Sequence, residues 1–361
     1  MNFLTQTCKA LDIDLNSALE LPRAATGIYL ALKYFDQNKK ILMPANICYS
    51  PIRVSIEASY KPVFYNASRL SYDCNDIVKI ANNDPKINAI LLPMLYGYVP
   101  SNLDSLKQLD KSRKWLIIED LAQTFGPGLA VNLGANITKV SIYSFGKTKF
   151  IKEFRAGLIT CNNQSYLNGM KFLYLNLPTL DSGEEDKLTE EIDKFKIIAR
   201  DTKNWFDYYK KLNQLDSRYF VRRQINQSNN EIPIQLVEKR KDVVYRNVEL
   251  LISRLQNFEA FMLPNKFDYS RHNPVWRLTI RVDRVLRELV LKQLRNSGLS
   301  VSAWYEVVPF YLNLISSEES QESLNFQEEV LNFWVDENHG ENYQNQIMLI
   351  LSRLEANSWR A

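Results

Sequence analysis

The stretch "SIYSFGKTKFIKEFRAG", residues 141–157, begins as a buried strand and turns abruptly basic. Lys147, Lys149 and Lys152 follow the strand end at Ser144–Phe145. An amine in that position can act as a nucleophile toward a carbonyl; it can also be an ordinary solvated loop charge, which is where most lysines sit. Upstream, "KWLIIED" reads as a strand that runs into two acids, Glu119 and Asp120. A third piece, "AATGIYLALKYF", opens a helix on Ala24, Ala25 and Thr26. The first N–H groups of such a helix have no intrahelical acceptor and can take an anion.

Amine, carboxylate and anion-binding helix start are the groups a pyridoxal phosphate site needs. A lysine must hold the aldehyde as a Schiff base, and a carboxylate must keep the ring nitrogen protonated so that the ring withdraws electrons. Backbone amides and hydroxyls must hold the phosphate. Asp120, one lysine of the 147–152 group, Ala24–Ala25 with Thr26, and Ser144 meet these demands in type. Residue chemistry does not make the reading unique, because an acid at a strand end followed by a lysine loop is common. Nor does it separate Lys147 from Lys149, since residues two apart on an extended segment share a face.

The elements that would position these groups alternate. "KKILMP", "KPVFYNA", "INAILLPML", "KWLIIED", "TKVSIYSF" and "AGLITCN" read as strands. "TGIYLALKYF", "SPIRVSIEASY" with Pro51 in its first turn, "NDIVKIANN" and "SNLDSLKQLDK" with a capping serine read as helices. Near-continuous apolar strands alternating with helices imply a mainly parallel sheet covered on both faces. Sites in such folds gather outside the carboxyl ends of the strands. From about residue 185 the pattern is helical, in "LTEEIDKFKIIARDTKNWFDYYKKL" and "IPIQLVEKRKDVVYRNVELLISRL". A smaller α+β unit follows, giving an expected division into residues 1–240 and 241–361.

The bulk numbers exclude several classes. With 361 residues the chain can hold more than one domain, and its 45 basic and 41 acidic residues leave a net charge of only +4 without a dense basic tract. A nucleic-acid partner is therefore not expected. Four scattered cysteines without a C-x-x-C pair, and two histidines, give no support for a metal site or a histidine-based nucleophile. The N-terminus has no basic region followed by an apolar run, and no stretch suits a membrane span, so a cytoplasmic protein is expected.

"LIIEDLAQTFGPG" and "SIYSFGKTKFI", about thirty residues apart, resemble the two central motifs of the DegT/DnrJ/StrS family of nucleotide-sugar aminotransferases. Weaker resemblances extend over nearly the whole chain, through "ILMPANICYSPIRVSIEASYKPVFYNA", "AILLPMLYGYVPSNLDSL" and "GLSVSAWYEVVPFY". The resemblance implies an α/β fold type I architecture, pyridoxal 5'-phosphate as cofactor, and a homodimer with sites between subunits. It places the lysine five positions after Ser144, which is Lys149. It implies that Asp120 pairs with the ring nitrogen, Gln123 lies near the ring oxygen, Ser144 binds the phosphate, and Ala24 and Ala25 offer it amides. This chain departs from the family at several places. Ala24–Ala25 replace the usual Gly-Thr, leaving Thr26 to supply a hydroxyl. The ring-covering position falls at Cys48, with Tyr49 adjacent. The Asn-Tyr-Arg-Met segment that reaches the partner's site is missing. Trp304–Tyr305 stands where many members have His-Tyr, with core packing expected for Trp304.

The expected function is transfer of an amino group from an amino acid, glutamate first among candidates, to the keto group of a nucleotide-linked sugar. Arg155, Tyr305, Arg222 and Arg223 are the candidate acceptor contacts, since arginine suits bidentate phosphate binding. The alternatives are a pyridoxal phosphate enzyme with a non-sugar acceptor, and a cofactor-binding homologue without turnover.

Overall fold

The computed structural model describes residues 3–35, 39–67, 69–126, 128, 133–146, 148–151, 156–202, 204–223, 234–264, 269–304 and 306–358. Its larger sheet has seven strands: β1 (Ala18–Leu21), β2 (Lys40–Pro44), β3 (Lys61–Tyr65), β4 (Ile87–Pro93), β5 (Trp115–Asp120), β6 (Ile137–Phe145) and β7 (Ala156–Cys161). They lie in the order β1-β7-β6-β5-β4-β2-β3. The block from β3 to β6 is parallel, and β7 and β1 add on antiparallel.

The continuous apolar runs follow from burial on both faces. Successive side chains of a strand point to opposite sides. In β4, Ile90 and Leu92 join the core on one face, while Ala89 and Leu91 join the core on the other. The first face is covered by α1 (Phe3–Ala10), by α4 (Cys74–Asn83) through Ile77 and Ala81, and by α8 (Ile234–Leu255) through Val244 and Val248. The second is covered by α2 (Ala24–Phe35), α3 (Tyr49–Glu57) and α5 (Gln164–Leu175), through Ile28, Ile52 and Met170.

Two long helical stretches then leave the sheet. The segment expected as one helical run is two helices, α6 (Ser182–Thr202) and α7 (Trp205–Gln214). Asn204 ends the run by capping α7: its Oδ1 accepts the Asp207 amide at 3.2 Å. "SNLDSLKQLDK" also differs from expectation, forming a tight 3-10 turn over Leu103–Gln108. Ser101 does not cap it, because its hydroxyl donates to the Tyr72 carbonyl.

After α8 comes a four-stranded antiparallel sheet of β8 (Phe261–Met262), β9 (Leu278–Val282), β10 (Val301–Ser302) and β11 (Val330–Phe333), in the order β10-β11-β9-β8. It packs with α9 (Arg284–Asn296), α11 (Gln321–Glu329) and α12 (Glu341–Ser358), while α10 (Val308–Tyr311) packs against α7. The division expected at residue 240 falls inside α8.

Candidate active site

The parallel register fixes where the chemistry gathers. Pro93 and Asp120 stand side by side at the carboxyl ends of β4 and β5, and β6 runs three residues past Ile142, the neighbour of Asp120, to end at Phe145. The last two residues of β5 point to opposite faces. Glu119 accepts the Ser141 hydroxyl at 2.5 Å and pairs with Lys139 at 3.5 Å. Asp120 instead lines a cavity of about 320 Å³, together with Cys48, Ser144 and Lys149.

That cavity also touches Ala24 and Ala25 at the first turn of α2. Gly157 makes the approach possible. It pairs with Ser144 across β6 and β7, and a Cβ on it would lie 2.6 Å from the Ala24 nitrogen and 2.7 Å from the Arg23 carbonyl carbon. Any side chain there would push α2 off the sheet edge.

Burial governs the ionisation of the central pair. Asp120 is 8% exposed. Burial raises its carboxyl above the usual range, opposed by the Ala122 amide, which donates to Oδ1 at 3.0 Å, and by Lys149. Burial likewise pushes the Lys149 amine down; Cys48 and Asp120 pull it back, and Arg277 pushes it further down. Each group favours the other's charged form, yet both move toward neutrality, so desolvation outweighs their attraction. The Lys149 amine also lies 5.6 Å from the centre of the Trp276 ring, whose indole N–H donates to the Thr148 carbonyl. Burial drives the Cys48 thiol up to about 11, with Asp120 adding to the shift and Lys149 opposing it.

At the other end of the cavity two guanidinium groups share one carboxylate. Arg23 Nη2 is 2.7 Å from Glu185 Oε1, and Arg222 Nη2 is 2.6 Å from Glu185 Oε2. Burial alone would raise Glu185, but Arg222 and Arg23 hold it below the usual range. The Arg23 guanidinium lies 3.9 Å above the centre of the Tyr219 ring. Its Nε is buried without a hydrogen-bond partner among the described residues. Two positive charges against one negative, beside a helix N-terminus, make this end of the cavity electropositive.

The sequence-derived residues divide accordingly. Ala24, Ala25, Cys48, Asp120, Ser144 and Lys149 meet at one cavity. Thr26 lies beneath the α2 turn, fully buried, and its hydroxyl donates to the Phe220 carbonyl at 3.2 Å. Tyr49 turns into an aromatic cluster with Tyr209 and Phe220, its hydroxyl on Asn213 at 3.0 Å. Of the two candidates for the ring-covering position, Cys48 is the one on the cavity wall. Gln123 uses its side-chain oxygen to accept the Tyr96 amide at 2.6 Å, which fixes Tyr96 at a φ of 60°. Arg222 is 3% exposed and committed to Glu185 and to the Tyr219 carbonyl at 2.8 Å. Arg223 hydrogen-bonds through its backbone amide to Pro178 at 2.8 Å. Lys147, Lys152, Arg155 and Tyr305 lie outside the described residues.

Sequence reasoning gave no role to Arg23, Glu185, Thr189 or Tyr219, all of which line the cavity. The available signal was the i,i+4 pair Glu185–Thr189 on α6, with Thr189 donating to the Glu185 carbonyl at 2.8 Å. It cannot be told from a solvated helix face without knowing where α6 packs.

A mainly parallel sheet with a half-buried lysine and a buried carboxylate at its carboxyl edge fits an α/β transferase of fold type I. The chain belongs to the DegT/DnrJ/EryC1/StrS aminotransferase family, whose profile matches residues 13–349. It is 24% identical over 150 residues to GDP-perosamine synthase of Escherichia coli O157:H7, covering 41% of this chain and 38% of that protein. It is also 24% identical over 162 residues to an uncharacterized protein of Methanocaldococcus jannaschii, covering 44% of this chain and 42% of that one. These matches thus span about two fifths of the length of each relative.

Among solved structures, the aminotransferase TlmJ from Streptoalloteichus hindustanus has a TM-score of 0.74 at 13% identity, covering 99% of this chain and 91% of its own. Helicobacter pylori PseC, an aminotransferase involved in pseudoaminic acid biosynthesis, scores 0.69 at 14% identity, covering 98% and 90%. These likenesses establish the fold. No helix among the described residues is long and apolar enough to cross a membrane.

Proposed function

We propose that this chain is a pyridoxal phosphate-dependent aminotransferase that moves an amino group from an amino acid, with glutamate the expected donor, to the keto group of a nucleotide-linked sugar. The observation that carries the reading is the convergence of Lys149, Asp120, the α2 N-terminus and Arg23 on one cavity.

The residues fit the cofactor at both ends. The buried Arg23 Nε lacks a partner, beside α2 amides that have no intrahelical acceptor. A phosphate placed there would satisfy both, with Ser144 on the same wall. A buried carboxylate with its pKa raised needs a cation, and a protonated ring nitrogen would supply one to Asp120. Cys48 would lie along the ring. Pyridoxal phosphate, when bound, supplies the carbonyl and the electron-withdrawing ring on which the amino group is carried.

Lys149 would hold the cofactor through its amine. Its lowered pKa keeps a larger fraction neutral, as a nucleophile and a base require. The same amine, once free, would serve as the base that moves a proton from the donor's α-carbon. Asp120 would hold the ring nitrogen's proton and act by charge. Arg23 and the α2 amides would hold the phosphate. A homodimer is expected from the family resemblance, and a cytoplasmic setting from the sequence.

The test is to add glutamate to the cofactor-loaded protein and follow the conversion of the cofactor to its amine form spectroscopically. The aminated protein is then titrated with nucleotide-linked keto-sugars and with free keto acids. Reoxidation by keto acids alone would reject the sugar acceptor, and an inert cofactor would reject the enzyme.

A further inference from the structure

Arg277, directly before β9, is 3% exposed, and its guanidinium lies between two indoles, 3.7 Å from the centre of the Trp276 ring and 3.6 Å from that of Trp334. One Nη donates to the Ser302 hydroxyl at 2.5 Å. Rings on both faces hold the guanidinium in place, and cation–π attraction offsets part of the cost of burying it.

The Trp276 ring is shared. The Lys149 amine is 5.6 Å from the same ring centre, so the two cations are no more than about 9 Å apart. The Trp276 indole N–H donates to the carbonyl of Thr148, the residue before Lys149. The segment that carries Trp276 and Arg277 is itself pinned to the sheet edge that carries Asp120. Thr124 donates its hydroxyl to the Pro274 carbonyl at 2.9 Å. Gly97, at a φ of 92°, comes so close that a Cβ on it would be 2.6 Å from Val275 Cα and 2.8 Å from the Trp276 nitrogen. Arg277 therefore keeps a fixed place relative to Lys149 and Asp120.

Like charges at that separation disfavour each other's charged forms. Asp120 of β5 and Cys48 at the start of α3 act on Lys149 in the opposite sense, and Arg277 adds to the effect of burial. The small cavity behind Lys149 also touches Arg240 of α8, Asp336 and Glu337, but Arg240 is met by Glu337 at 3.1 Å and Asp336 by His339 at 2.6 Å. The same guanidinium acts on a second amine. A second cavity, of about 870 Å³ between α6, α9 and α11, is lined by Lys196, Glu306, Trp205 and Trp304, and Arg277 disfavours the charged form of Lys196 too. There the ammonium lies 3.9 Å over the centre of the Trp304 ring; Trp304, expected in core packing, is half-buried against the edge of the core. Of the two amines, Lys149 is the one beside Asp120 and the α2 N-terminus, where an uncharged amine can act as nucleophile and base.

We propose that Arg277 is a positioning residue for Lys149, whose fixed charge acts across the Trp276 indole and biases the Lys149 amine toward the uncharged form that a nucleophile or base requires. The consequence for catalysis rests on the aminotransferase reading. The electrostatic coupling itself does not.

The full chain without cofactor can be acetylated with limiting acetic anhydride across a pH series, and the rate at Lys149 read by peptide mass spectrometry. Arg277→Met and Arg277→Gln, two ways of removing the charge, should raise the midpoint of Lys149 labelling by about one pH unit, the scale of one like charge at this distance. Arg277→Lys keeps the charge but not the planar stack, and should keep the midpoint near that of the natural chain. No rise in whichever neutral variant folds would overturn the proposal. So would an equal rise in all three variants, because loosened packing that admits water around Lys149 raises its midpoint whatever the charge. Weaker glutamate binding with an unmoved midpoint would also overturn it, making Arg277 a donor contact. Glutamate added to the cofactor-loaded protein separates the two ideas. A shifted midpoint beside a cofactor inert to every amino acid rejects the aminotransferase alone. A cofactor converted by glutamate beside an unmoved midpoint rejects the positioning role alone.

Discussion

Two pairs, each of a buried carboxyl and a half-buried lysine, differ in how their charges are met. In the first cavity Asp120 takes a backbone amide and lies near Lys149, at the edge of a rigid parallel sheet. In the second, Glu306 takes the Tyr209 hydroxyl and lies near Lys196, whose ammonium rests on an indole. Burial pushes both carboxyls up and both amines down. Under the proposed function the first pair carries the chemistry, since its lysine lines a cavity with an electropositive end. The second lies beside the indoles of Trp205 and Trp304.

The sharpest way to break this comparison is to remove the first lysine. Lys149→Ala should lower the glutamate half-reaction by at least about a thousandfold in single-turnover absorbance measurements, since it removes the group that moves the proton. The variant should still bind the cofactor through the phosphate and ring contacts. A modest loss would mean that another lysine carries the reaction.

Next in size is Asp120→Asn, which keeps the side-chain shape and removes the charge. Turnover should fall at least about a hundredfold, the scale of one preorganised electrostatic partner. Near-normal turnover would make Asp120 a structural carboxylate and erase its contrast with Glu306.

The second pair makes its own prediction, about stability. Burial raises the Glu306 carboxyl from the ordinary 4.5 or so to about 7, with Lys196 and Tyr209 opposing. The folded chain therefore holds a proton between those values that unfolding releases. The stability associated with this group is present below about pH 4.5 and is lost as pH rises through about 7. Glu306→Gln does not titrate, so it should gain on the natural chain between pH 5 and 8 by about 2–3 kcal/mol, read from denaturant unfolding in the ligand-free state. A pH-independent difference would show that Glu306 stays ionised in the fold.

The smallest expected effect concerns the anion end. Arg23→Gln removes the charge and leaves Glu185 to Arg222. Cofactor affinity, read by fluorescence titration, should weaken by roughly tenfold, the worth of one charge-assisted hydrogen bond. Unchanged affinity would assign Arg23 to stacking on Tyr219 alone.

The same contrast explains what the sequence revealed. Apolar strands alternating with helices bring the carboxyl ends of β5 and β6 together, so Asp120, Ser144 and the lysines at 147–152 were visible as one site, and the family resemblance selected Lys149. Thr26 was a reasonable hydroxyl donor by position, but a helix residue three places in faces whatever packs beneath it, here Phe220. Tyr49 and Cys48 could not be separated until the direction of α3 was known. Arg222 read as a surface arginine for an acceptor phosphate, and its ion pair with Glu185 depends on α6 folding back over the α2 turn. The second cavity was not legible at all. Its walls come from helices separated by about a hundred residues in the chain, and nothing in "KFKIIARD" or "SAWYEVV" announces that Lys196 and Trp304 meet.

The central claim is that Lys149, among all the lysines, holds the cofactor. Borohydride reduction of the cofactor-loaded protein, followed by proteolysis and mass spectrometry, tests it directly. The account predicts pyridoxyl label on Lys149 and its loss in Lys149→Ala. Label on Lys147, Lys152 or Lys196 in the natural chain would contradict it.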